Sequence, residues 1–234
     1  PPPPPPPPPL FFPPPPPPPR SSLGSWARRL YKRQIKKQEA LTFVAEKMPA
    51  PIYSDLRAYC EKRRHDEVWD YNWKLAGALD QQSSLNDHKL ECPDLEDYLL
   101  FNTNKIWNDI YLTCPWEFNT CKDPTRYMRL KSLWVNYQKK GEYNPMHSHA
   151  GIASFVIFVD IPYGSDERDT HMSNGGLQLE KDVLPLDSSW NGTLILFPST
   201  TMHAVYPYYS TDKERITVAG NIAWDVEGPD EEHY

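Results

Sequence analysis

Short runs of β-branched and aromatic residues, separated by turn signals, fill the second half of this 234-residue chain. They constrain its fold more strongly than any other feature, and they span residues 130–138, 152–161, 177–180, 193–197, 203–208 and 215–225. Several short strands at this spacing predict an all-β sandwich or barrel. No helical pattern intervenes between the runs, which disfavours a parallel sheet of βαβ units. We therefore expect an antiparallel β domain.

The first half of the chain has a different character. Sixteen of the 27 prolines lie in the first nineteen positions. Because proline fixes φ and has no amide donor, residues 1–24 are predicted to form a polyproline II tail. Such a rod is a stiff linker, a ligand for a partner with an aromatic-lined groove, or a substrate of the chain's own domain.

The next hundred residues read as a helical support region, 25–129. A loose apolar stripe and two amphipathic patterns predict its three helices, over 25–48, 52–69 and 95–111. The pair Pro93-Asp94 is a start signal for the third. The β core is then expected over 130–226, followed by an acidic tail over 227–234.

Charge and composition exclude several classes of function. Residues 1–38 hold seven Lys or Arg and no acid, so with a net charge of −6 overall the remainder carries −13. An acidic body repels phosphates, so we expect no nucleic-acid partner. No run approaches 18 apolar residues, and no membrane association is expected. The four cysteines lack CxxC spacing, which is typical of reduced thiols in the cytoplasm.

Three histidines in the β region form a candidate metal site. His147 and His149 are separated by one residue in a turn between two strands, and His203 begins a later strand. Residues i and i+2 of an extended segment point the same way, so both imidazoles can converge on one ion. Imidazole suits Fe, Zn, Cu and Ni alike. The alternative is a set of hydrogen-bonded histidines at a strand edge.

The last predicted strand contains an arginine, Arg215, on its small, polar face. By the period of two, Arg215 shares one face with Thr217, Ala219 and Asn221, and Ile216, Val218 and Ile222 lie on the other. A guanidinium can bind a carboxylate through two parallel hydrogen bonds, so Arg215 is either an anion anchor or half of a structural ion pair.

These residues together resemble a known family. Their order is Trp134-Val135-Asn136-Tyr137, Gly141, Asn144, His147 and His149, then the segment 192–199, His203, 214–217 and Asn221. This pattern resembles the Fe(II)/2-oxoglutarate-dependent oxygenases, and in particular a prolyl-4-hydroxylase-like subgroup often encoded by bacteria and their phages. The resemblance covers about residues 74–225. It implies a double-stranded β-helix, or jelly roll, with flanking N-terminal helices.

The resemblance also implies roles for individual residues. His147 and His203 match iron ligands, and Arg215 matches the cation that binds the far carboxylate of 2-oxoglutarate. Asn136 and Tyr137 match a strand facing the cosubstrate, and Thr217 and Asn221 would lie near the same pocket. His149 stands where the family usually has Asp or Glu. Either His149 binds the metal directly or that position is left to water or a halide; Asp160 and Asp166 are less favoured donors.

The implied function is a non-haem Fe(II)- and 2-oxoglutarate-dependent dioxygenase that uses O2 to hydroxylate an unknown substrate, with a prolyl or other peptide as one candidate. It would act in the cytoplasm, including a host cytoplasm if it is phage-encoded. Two other hypotheses remain open. The domain is a cupin-like metal protein or three-His dioxygenase that does not use 2-oxoglutarate, or it is an inert binding module whose tail recruits a partner.

Overall fold

The computed structural model describes residues 43–64, 77–85, 92–103, 128–167 and 174–225. The polyproline tail, the acidic tail and most of the first predicted helix lie outside these ranges. Two α-helices are present within them, α1 (Ala50–Arg63) and α2 (Pro93–Thr103). The strands are β1 (Val44–Lys47), β2 (Gln82–Ser84), β3 (Met128–Gln138), β4 (Asn144–His147), β5 (Ala153–Asp160), β6 (Leu177–Leu179), β7 (Asp182–Leu184), β8 (Thr193–Pro198), β9 (His203–Val205) and β10 (Arg215–Trp224).

The strands form two antiparallel sheets. The large sheet has the order β1-β8-β5-β10-β3-β2, and the small sheet has the order β4-β9-β6-β7. One apolar cluster joins them: it combines Trp134, Phe158 and Phe197 of the large sheet with Leu177 and Leu179 of the small one. This is the predicted double-stranded β-helix.

The opposite face of the large sheet is covered by the two helices. Leu56 of α1 and Leu95 of α2 belong to the same buried cluster as Val135, Ile157 and Val218 from the central strands. Burial on both faces explains why β5 is almost continuously apolar instead of alternating. Helices α1 and α2 thus pack against the central strands of the large sheet.

Both helices begin two residues before their predicted starts at 52 and 95. Helix α1 begins directly after Pro49, and α2 begins at the predicted Pro93 signal. The predicted ends of both helices, 65–69 and 104–111, lie outside the described residues. Neither helix is long and apolar enough to cross a membrane, and no other helix among the described residues is.

The prediction that the first helix extends to residue 48 is wrong. Val44–Lys47 is strand β1, paired antiparallel with β8 at the edge of the large sheet. Its side chains alternate between half-buried and exposed, so the period of two applies there and not the helical period. Strand β2 likewise comes from the predicted helical region and pairs with β3. The two edge strands of the large sheet, β1 and β2, thus come from the part of the chain that was predicted to be helical.

Candidate metal centre

Three imidazoles lie close together beside the paired strands β4 and β9 of the small sheet. His147 ends β4 and His203 begins β9, and the two residues are directly opposite in the antiparallel register. The backbone amide of His149 donates to Ser199 O at 3.0 Å, which fixes the chain two residues further on. Ring centroids are 4.1 Å apart for His147 and His203, 4.8 Å for His147 and His149, and 5.1 Å for His149 and His203. One nitrogen from each ring lies within 4.8 Å of the other two.

Backbone carbonyls orient two of the rings. His147 Nδ1 lies 2.6 Å from Pro145 O, and His203 Nδ1 lies 2.9 Å from Thr201 O. A carbonyl oxygen can only accept, so each Nδ1 donates its proton to it. Each Nε2 then keeps its lone pair, which is the atom that a metal ion requires.

The electrostatics keep two of the imidazoles, those of His149 and His203, neutral. Burial, with repulsion from His203 and His147, lowers the pKa of His149 to about 4. Burial also lowers the pKa of His203 to about 4, although its bond to Thr201 O opposes the shift. Both rings therefore offer unprotonated nitrogens at neutral pH. Trp134 packs edge-on at 6.0 Å from His149, and Phe197 packs similarly at 5.0 Å from His203.

No carboxylate joins this cluster among the described residues. Asp160 ends β5 with its carboxylate 4.0 Å from Arg57, and Asp166 lies in the turn 165–167. The donor set is thus three imidazoles, which fits a divalent metal of the iron-to-zinc series. Of the third-ligand alternatives, direct binding by His149 is the one its position favours.

A cavity of about 400 Å³, counting its open mouth, lies beside the three rings. Asn136 and Thr217 line it, as the resemblance implies, and a hydrogen-bonded row fixes them: Gln82 Nε2 donates to Asn136 Oδ1, and Asn136 Nδ2 donates to Thr217 Oγ1. None of the described residues lining it is an acid, a lysine or an arginine.

Arg215 lies just beyond this lining. It is 1% exposed and lies two residues before Thr217 on the same face of β10, where it begins the strand. Its Nε and Nη2 both donate to Gln138 Oε1, and its Nη1 donates to Tyr163 OH at 3.2 Å and to Gly175 O. It forms no ion pair with any described acid. The guanidinium is therefore a buried positive charge surrounded by neutral acceptors.

Two implied cosubstrate residues, Tyr137 and Asn221, are not among the residues that line the cavity. Tyr137 points to the helix side of the sheet, where its hydroxyl donates to Cys60 O in α1. The period of two forces this placement, since its neighbour Asn136 faces the cavity. Asn221 is on the cavity side, but Ser154 and Ser132 occupy its amide group, and Ser154 rather than Asn221 lines the cavity.

Three residues of this region were given no role by the sequence interpretation. Trp134 appeared there only as part of the matched motif, and strand parity with Asn136 could have revealed that it lines the cavity. Gln138 and Tyr163 contact Arg215 only because of strand register and chain return, which no local pattern signals.

The comparisons with known proteins agree with this architecture. Residues 132–221 match a family model described as "Putative 2OG-Fe(II) oxygenase". Among similar solved structures is a prolyl-4-hydroxylase from Pseudomonas putida, with 15% identity, a TM-score of 0.53, and coverage of 81% of this chain and 95% of that one. Another is AviO1 from Streptomyces viridochromogenes, with 12% identity, a TM-score of 0.53, and coverage of 84% and 95%. At these identities the likeness shows the fold. A search of curated proteins finds no match.

Proposed function

We propose that this chain, whose residues 132–221 match the 2OG-Fe(II) oxygenase family model, holds Fe(II) on three histidines and uses 2-oxoglutarate and O2 to hydroxylate a peptide. One observation carries the proposal. Three imidazoles with available nitrogens line a cavity. The face of the large sheet that forms one wall of this cavity also carries the buried guanidinium of Arg215, which has no counterion among the described residues. A metal and a cation on one face suit a ligand with an acid group at each end.

The iron would be held by Nε2 of His147 and of His203, with His149 as the third ligand. Pro145 O and Thr201 O fix the first two rings by accepting their Nδ1 protons, so little rotamer freedom is lost when a metal binds. When bound, the iron would couple the oxidative decarboxylation of 2-oxoglutarate to hydroxylation: one oxygen atom of O2 would enter succinate, with release of CO2, and the other would enter the substrate.

The chain's other residues would orient the cosubstrate. Arg215 attracts its distal carboxylate, and Thr217 and Asn136, on the wall between that cation and the rings, offer hydroxyl and amide groups along its length. Fixing both ends sets the direction of the keto acid before O2 arrives. Trp134, Val156 and Phe197 supply apolar walls that limit water.

The substrate class is a peptide in this proposal. Support comes from the fold shared with the Pseudomonas putida prolyl-4-hydroxylase and from the proline-rich segment of the chain itself. Fold likeness does not by itself transfer a substrate. A synthetic peptide of residues 1–24 is therefore the first candidate to assay, by mass increase of about 16 Da per oxygen atom inserted together with succinate release.

Titration of 2-oxoglutarate into the anaerobic, Fe(II)-loaded protein tests the cosubstrate. We expect Arg215→Ala to weaken binding by about 1.5 to 3.5 decades, since truncating one partner of a buried charge pair costs about 2–5 kcal/mol. Lysine should rescue only partly, because it keeps the charge and loses the planar fork. Metal stoichiometry should be unchanged in both variants.

Arg57→Ala is the matched control for that titration. This side chain is more than half exposed and faces Asp160 at 4.0 Å. Its loss should leave the cosubstrate affinity unaltered. Equal binding by wild type and Arg215→Ala would place the carboxylate site on another strand.

A metal protein that does not use 2-oxoglutarate is the second candidate. It is favoured by one observation. Nε and Nη2 of Arg215, which were predicted to pair with a carboxylate, already donate to Gln138 Oε1. Wild-type protein that shows no 2-oxoglutarate binding at millimolar concentrations would select this candidate.

A further inference from the structure

We propose that Gln138 is a positioning residue for the cosubstrate: its neutral amide holds the guanidinium of Arg215 in place and leaves the positive charge for the distal carboxylate of the ligand. The inference rests on the proposed use of 2-oxoglutarate. It concerns a residue outside the motifs that pointed to that use.

The two side chains face each other across neighbouring strands. Gln138 ends β3 and Arg215 begins β10, and they are direct partners in the antiparallel register. They are 3% and 1% exposed. Gln138 Oε1 accepts from Arg215 Nε at 3.0 Å and from Nη2, which is the edge of a guanidinium that a carboxylate would pair with.

Gln138 is itself held on both sides. Its Nε2 donates to Glu142 O, which turns Oε1 toward Arg215. Its backbone carbonyl accepts from Tyr208 OH, and the same hydroxyl accepts from the backbone amide of Arg215. The amide is therefore a fixed acceptor.

Neutrality of that acceptor is the decisive property. On the other edge, Tyr163 OH and Gly175 O are neutral as well. Glu214, next in the chain to Arg215, pairs with Arg64 instead. A buried cation without a counterion is costly, so the pocket gains by binding an anion. A carboxylate at position 138 would supply that counterion internally and remove the gain.

Gln138→Glu tests this idea because it changes charge with little change in shape. Anaerobic Fe(II)-loaded protein is titrated with 2-oxoglutarate and, separately, with 2-oxopentanoate, which has the same keto acid end and no distal carboxylate. We expect the dissociation constant for 2-oxoglutarate to rise about 30-fold or more, and that for 2-oxopentanoate to stay within about threefold. A purely structural role would not separate the two ligands.

Gln178→Glu is the control, since Gln178 lies on β6 of the small sheet and accepts from Tyr206 OH. It should leave both dissociation constants unchanged. If Gln138→Glu fails to fold, Gln138→Met replaces it: freeing the guanidinium should weaken 2-oxoglutarate binding alone, by about 3- to 10-fold.

The possible outcomes separate the two proposals. Wild type that binds no 2-oxoglutarate overturns the proposed function. Wild type that binds it, with Gln138→Glu binding equally well or losing both keto acids in parallel, overturns only the role of Gln138.

Discussion

His149 is the residue at which this site differs from the two-histidine, one-carboxylate arrangement common in non-haem Fe(II) oxygenases. Its ring centroid lies 4.8 and 5.1 Å from those of His147 and His203, within reach of an ion that these two rings would hold. Three imidazoles contribute no negative charge. A divalent ion there keeps its full positive charge and should attract anionic ligands more strongly.

We predict that His149→Asp retains the metal and changes its electronic spectrum, because a carboxylate in the same place remains a ligand and is anionic. Absorption of the Co(II)-substituted protein is the measurement, since that ion reports changes in its ligand set. Unchanged metal affinity and an unchanged spectrum would show that His149 does not coordinate.

Removing either oriented histidine should have a larger effect. We predict that His147→Ala and His203→Ala each abolish stoichiometric metal binding, because both rings are fixed by backbone carbonyls and face each other at 4.1 Å. Metal content after gel filtration measures this directly. Full occupancy in both variants would rule out the assigned centre.

At the scale of elements, local pattern predicted six of the eight described strands from β3 to β10. It missed β4 and β7, and it missed what depends on strand pairing. Alternation and turn residues locate β3, β5, β8 and β10 within about two residues. The segment that forms β1 was wrongly predicted to be helical, because this four-residue edge strand follows a basic run with a helical pattern. The assignment of Arg215, Thr217 and Asn221 to one face followed from period two, whereas Gln138 became visible only with the register of β3 against β10.

Alternation along β3 places Asn136 on the cavity side of the sheet and Tyr137 on the helix side, so Tyr137 contributes to stability and not to the cavity. Its hydroxyl donates to Cys60 O and ties β3 to α1, and burial raises its pKa. We predict that Tyr137→Phe lowers the free energy of unfolding by about 1 kcal/mol and leaves 2-oxoglutarate affinity unchanged. Denaturant midpoint and calorimetric titration measure the two effects. A loss of affinity comparable to that of Arg215→Ala would place Tyr137 in the pocket after all.

Across the whole described molecule, the large sheet separates two environments. Its helix side is an apolar core, and its other side holds a polar row that leads from the buried guanidinium past Asn136 and Thr217 to the three imidazoles. The site thus lies on the rigid central strands, where hydrogen-bonded neighbours fix each functional group. Buried neutral histidines on this scaffold also make its stability depend on pH.

The last prediction concerns that dependence in the metal-free protein. The folded-state pKa values of His149 and His203 are lowered to about 4, and an unfolded histidine titrates near 6.5. Below pH 6.5 the unfolded chain therefore binds protons that the folded protein does not, so folding stability is complete above that pH and falls progressively toward pH 4. We expect the melting temperature to drop over this window, and the drop to be smaller in the double variant His149→Asn, His203→Gln, which cannot take up these protons. Parallel melting curves at each pH for the two proteins would show that other groups control the acid response.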